Sequence, residues 1–65
     1  MNFSIAALLA NFTDDKLVTT KALEKKLDCN DPESQIRLQI ALDALEKIGI
    51  LIKDKGRYRR VFEED

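Results

Sequence analysis

The sequence predicts a small α+β domain: three helices and a three-stranded antiparallel sheet, in the order α-β-α-α-β-β. Three observations lead there. Asp31-Pro32-Glu33 opens a long helical pattern that stops at Gly49. After it, two β-prone runs flank a tight turn at Lys53-Asp54-Lys55-Gly56. Ahead of the second helix, Lys16-Leu17-Val18 is a short β-like stretch able to supply a third strand. A third strand matters because an isolated two-stranded hairpin is marginal in water.

Each element has a local reason. The first helix is expected from Phe3 or Ser4 to Phe12, because Phe3, Ala6, Ala7, Leu9 and Ala10 recur at helical spacing. The polar run Asn11 to Asp15 breaks that pattern, and Asp14-Asp15 reads as a loop or cap rather than a metal site. Thr19 or Thr20 can cap a second helix over Lys21 to Leu27, with Ala22, Leu23 and Leu27 as its apolar stripe. That helix is too short to be stable alone, so packing must hold it. The loop from Asp28 to Asp31 leads into the third helix. Asp31 can cap it, Pro32 suits its first position, and Glu33 favours the positive end of its dipole. The pattern continues to about Ile48, and Ile36, Leu38, Ala41, Leu42, Leu45 and Ile48 suggest a broad buried face. Gly49 can take the left-handed conformation that ends a helix. Ile50 to Ile52 and Arg57 to Phe62 are the hairpin strands, with Gly56 free to take positive φ in the turn. Helix, short strand, two helices and a hairpin make the topology of a winged helix-turn-helix, with the hairpin as the wing.

Composition narrows what such a domain can do. The chain has 65 residues, 45% hydrophobic and 35% charged, with a net charge of −1. This is one domain, residues 1–65, with a stability of about 3–5 kcal/mol and little room for an internal ligand pocket. One cysteine, Cys29, and no histidine rule out an internal disulfide and a structural zinc site. Acidic neighbours around Cys29 oppose thiolate formation, so it reads as a packing or loop residue. No nucleophile has a visible base and no Gly-rich phosphate loop is present, so neither a catalytic residue nor a cofactor is expected in this segment. The first apolar run lacks the basic start and length of a secretory signal, and no segment has the roughly 20 apolar residues of a membrane span. A cytoplasmic setting, with no membrane partner, is the expectation.

The charge is unevenly placed. Lys53, Lys55, Arg57, Arg59 and Arg60 crowd the hairpin against one acid, Asp54, while the body and the tail Glu63-Glu64-Asp65 are acidic. Cations on a hairpin tip can meet phosphates, and arginine forks onto phosphate oxygens and stacks on bases. Tyr58, set between arginines, can stack on an exposed base or bury its ring against the third helix. The cations can instead serve only to keep an edge strand from aggregating. Arg60 shares the Tyr58 side of an ideal strand, which suggests a bulge, a strand end or a snorkelling side chain. On the third helix, Ser34, Gln35, Arg37 and Gln39 stand where a recognition helix reads bases. Asp43 and Glu46 would repel phosphates there, so this helix is a poor reader.

Leu42-Asp43-Ala44-Leu45-Glu46-Lys47-Ile48-Gly49-Ile50-Leu51-Ile52-Lys53-Asp54-Lys55-Gly56-Arg57-Tyr58 resembles the last helix and wing of the winged-helix domains that precede RNase R and RNase II-type exoribonucleases. The resemblance covers the last third of the chain and extends upstream through Val18-Thr19-Thr20-Lys21-Ala22-Leu23 as a helix start. It implies the N-terminal segment of a larger 3′→5′ exoribonuclease, an accessory domain helping to engage structured RNA. The family's magnesium-binding aspartates lie in a separate catalytic domain, which would be this domain's partner within the chain. The leading expectation is therefore a monomeric RNA-binding module using Lys53, Lys55, Arg57, Tyr58, Arg59 and Arg60, helped by Arg37, Gln35 and Gln39. A small dimeric DNA-binding regulator reading bases through Gln35, Arg37 and Gln39 is one alternative. A protein-interaction module docking through Phe3 or Leu8 is another.

Overall fold

Three helix starts in this chain are built the same way, each with a side-chain oxygen accepting a backbone N–H three residues on. The computed structural model describes residues 4–62. Helix α1 is Ile5–Leu9, capped by Ser4 on the Ala7 N–H at 3.1 Å. Strand β1 is Val18–Thr19, and Thr19 also caps α2, Thr20–Lys26, on the Ala22 N–H at 3.1 Å. Helix α3 is Pro32–Lys47, capped by Asp31 on the Ser34 N–H at 3.3 Å. Strands β2, Leu51–Asp54, and β3, Arg57–Arg60, form the hairpin. The element order is the expected α-β-α-α-β-β. The sheet is antiparallel throughout, with β3 between β1 and β2. This is the α+β architecture of a winged helix. Between α1 and β1, the Asp14 carboxylate accepts the Lys16 N–H at 3.0 Å, so Asp14 serves a turn.

Helices α2 and α3 end in the same device. Asp28 (φ 57°) and Gly49 (φ 88°) take the left-handed conformation. The next residue's N–H then reaches back five positions, Cys29 to Glu24 at 2.8 Å and Ile50 to Leu45 at 2.9 Å. The second of these aims Leu51 into the core as the chain leaves α3.

The core consists of Leu8, Phe12, Leu23, Leu27, Cys29, Leu38, Leu42, Leu45, Leu51 and Tyr58, with Leu9, Val18, Ala41 and Ile50 at its edge. Three expectations are corrected here. Helix α1 is shorter than its pattern suggested. The Asn11 side-chain amide takes the Ala7 carbonyl at 2.9 Å, and the Asn11 and Phe12 N–H groups tighten onto Leu8 and Leu9. That tightening swings Phe12 inward. Leu8, not the exposed Ala6, Ala7 and Ala10, is the buried residue of α1, so it cannot be a docking residue. Phe3 lies outside the described residues. On α3 the buried arc holds Ser34, Leu38, Leu42 and Leu45, while Ile36 and the C-cap Ile48 are exposed because, among the described residues, no second layer covers the opposite side.

Cys29 is buried, and its thiol is pushed up, first by burial and then by Glu24, Asp31 and Asp28. Asp31 titrates below its ordinary value, chiefly because the Ser34 hydroxyl donates to its carboxylate at 2.6 Å. A carboxyl with a lowered folded value adds stability that is full above its unfolded value and is lost as pH falls through the folded one. The stability advantage of the native chain over Asp31→Asn, followed by thermal melts, should therefore shrink as pH is lowered from neutral into the acid range.

Candidate nucleic-acid interface

Strand alternation divides the basic cluster. In the hairpin, Leu51 pairs with Arg60, Ile52 with Arg59, Lys53 with Tyr58, and Asp54 with Arg57. Val18 and Thr19 of β1 pair with Tyr58 and Arg57. Side chains at paired positions share a face. The inner face therefore carries Val18, Leu51, Lys53, Tyr58 and Arg60. The outer face carries Thr19, Ile52, Asp54, Arg57 and Arg59. Lys55 sits at the tip between them.

Each cation has a distinct setting. Lys53 is exposed, with its Nζ 5.9 Å from the centroid of the Tyr58 ring. The Arg60 guanidinium lies 5.1 Å from the Phe62 ring centroid. Both distances are within cation–π range. The hairpin register runs regularly through Arg60, so a strand end with an arginine folded over an aromatic, rather than a bulge, accommodates this residue. Arg57 is exposed opposite Asp54, and Arg59 is half-buried opposite Ile52. Among the described residues, none of these five cations is in an ion pair.

The turn is shorter than expected: Lys53 and Asp54 belong to β2, leaving Lys55-Gly56 as a two-residue loop. Both have positive φ, 53° and 79°, as in the turns that suit the twist of a hairpin. A left-handed lysine is unusual, because that conformation costs a non-glycine residue about 1–2 kcal/mol. Asparagine would be cheaper, so the lysine retains a charge at the expense of turn stability.

Other predicted contact residues are engaged in the fold. Tyr58 is 1% exposed, with its ring in the core. Its hydroxyl accepts from Gln39 Nε2 at 3.0 Å, and the same amide reaches Asp43 Oδ1 at 3.0 Å. The reading of Tyr58 as a stacking platform is thus corrected: the middle strand of the sheet must present its inward residue to α3. Gln39 is the hairpin's tether to α3. Gln35 Nε2 donates to the Cys29 carbonyl at 3.3 Å, bracing the loop before α3. Arg37 is exposed but pairs with Glu33 at 2.9 Å. The base-reading set Gln35, Arg37 and Gln39 is therefore not free as a set. One residue beside the cations escaped the sequence reading. Ile52 is exposed on the outer face next to Arg59, and the period-two alternation of β2 was the signal for it.

The family model described as cyanobacterial RNase R, N-terminal domain, matches residues 6–61. The chain belongs to this family. It is also 62% identical, over all 65 of its residues, to the acetazolamide conferring resistance protein zam of Synechocystis sp.. The chain spans 8% of the length of that curated relative. No solved structure matches the chain. The described residues contain no helix long and apolar enough to cross a membrane.

Two substitutions test how the hairpin is held in this N-terminal domain. Tyr58→Phe, which loses the bond to Gln39, should lower stability by about 1 kcal/mol in chemical denaturation. Lys55→Asn should raise stability by a fraction of the ~1–2 kcal/mol cost of a left-handed residue, measured the same way.

Proposed function

We propose that this chain is an RNA-binding accessory domain of an RNase R-type 3′→5′ exoribonuclease, working in the cytoplasm beside the catalytic domain of its parent chain. It holds structured RNA by the phosphate backbone, through Lys53, Lys55, Arg57, Arg59 and Arg60. The observation that carries this reading is the wing itself: five cations without ion-pair partners among the described residues, on a hairpin tethered to α3, in a member of the RNase R N-terminal family. The left-handed lysine at the tip adds weight, since strain kept at a surface position favours a functional reading.

The physics suits shape and charge rather than sequence. Phosphate contacts position a nucleic acid without reading it. The half-buried Gln35 and Gln39 are bonded within the fold, which weighs against a DNA regulator that reads bases through α3. Arg57 and Arg59 share a face with the exposed Ile52, so two guanidinium groups and an apolar surface lie together where a sugar–phosphate chain could run across β2 and β3.

Counterion release supplies the test. If all five cations neutralise single-stranded phosphates, log K should fall against log salt with a slope of about −3.5. Arg57→Ala with Arg59→Ala should flatten that slope by about 1.4, whereas Gln35→Ala should leave it unchanged. Titration with a structured RNA bearing a single-stranded 3′ end, read by amide shifts and fluorescence anisotropy at two salt concentrations, measures both. Amide shifts that stay unchanged across 53–60 at low salt would reject the proposal.

A further inference from the structure

The side of α3 facing away from the core is apolar along one row. Ile36 is 60% exposed, Ile40 62% and Ile48 69%, and the exposed Ala44 completes an i, i+4 ridge. Three isoleucines in open water on one helix and its C-cap, in a 65-residue chain, form a patch that calls for a partner. The wing does not supply it. Gln39, which bonds Tyr58, precedes Ile40 by one residue and so points about 100° away around the helix.

We propose that this face binds the same face of a second copy, with the two α3 helices antiparallel and Ile40 at the twofold axis. The argument is charge complementarity in that register. Residues equally far before and after Ile40 come level across an antiparallel pair. Glu33 and Lys47 lie seven positions either side, and Arg37 and Asp43 three. Each acid thus comes level with a base of the other copy, so that the Glu33–Arg37 pair within each copy, and the Asp43 carboxylate that accepts from Gln39, are extended across the axis by long lysine and arginine side chains. The other level pairs on this outward face are Ile36 with Ala44 and the exposed Pro32 with Ile48, all apolar. A parallel pairing would instead set Glu33, Arg37, Asp43 and Lys47 each against its own like charge, which charged interfaces avoid. A twofold interface must be self-complementary in this way.

The apolar ridge supplies the attraction and the charges choose the direction. One helix pair buries less than the roughly 800 Å² per partner of a standard stable interface. The dimer is therefore weak and concentration-dependent, and it leaves both wings open. Two wings on one particle would bind a nucleic acid more tightly by linkage alone, but the dimer itself requires no ligand and stands or falls without the RNA-binding reading.

Sedimentation equilibrium of the 65-residue chain without RNA, from micromolar to millimolar concentration, tests this directly. The average mass should rise from monomer toward dimer. On dilution, amide shifts should move at Ile36, Ile40, Ala44 and Lys47 and stay fixed at 53–60. Ile40→Glu, an exposed position that should not disturb folding, sets two like charges on the axis and should return the protein to monomer. Lys47→Glu should weaken the dimer several-fold, and adding Glu33→Lys should restore it, with helical content checked by circular dichroism. A monomer at millimolar concentration overturns the proposal and leaves the ridge to another partner, such as a further domain of a longer polypeptide. Association that Ile40→Glu does not weaken, or a folded double variant that fails to recover, also overturns it.

Discussion

The structure depends on burying Tyr58. Its ring is the largest fully buried side chain and sits on the middle strand, between Lys53 on one neighbour and Val18 on the other. A short hairpin has no independent stability in water. Here the ring fixes it to the helical core, and the Gln39 amide holds the one polar atom that burial would otherwise leave costly. Because β3 is anchored, its outward residues and the two-residue tip have a defined direction.

That anchoring divides the basic segment into parts with different tasks. Tyr58 works for the fold, while its immediate neighbours Arg57 and Arg59 point the other way. Lys53 and Arg60 lie on the inner face, each over an aromatic ring. On α3 the same division recurs. Gln35 and Gln39 are drawn into bracing the loop and the sheet, and Arg37 is held by Glu33. The helix keeps little polar surface free for base edges, and its outward side is an isoleucine ridge.

Much of this was legible in the residues. The caps at Thr19 and Asp31 follow from short oxygen-bearing side chains ahead of helical patterns, and Gly49 and Gly56 take the positive φ assigned to them. The loop from Asp28 was legible but its left-handed conformation was not, because a left-handed aspartate has no signature as plain as glycine. Apolar spacing also overstated burial. Ile36 and Ile48 satisfy a helical period as well as Leu38 and Leu42 do, but a domain this small has only one core to cover them.

The sequence alone determined the element order, the α+β class, the helix boundaries set by caps and glycines, and the local excess of positive charge between 53 and 60. These follow from interactions among residues close in the chain. Only the tertiary structure decided which face of each element is covered: Tyr58 and Leu8 inward, Ile36, Ile40 and Ile48 outward, and Gln39 engaged with Tyr58, distant in sequence. Those outcomes depend on how many layers pack against an element and in what register, which no local pattern specifies.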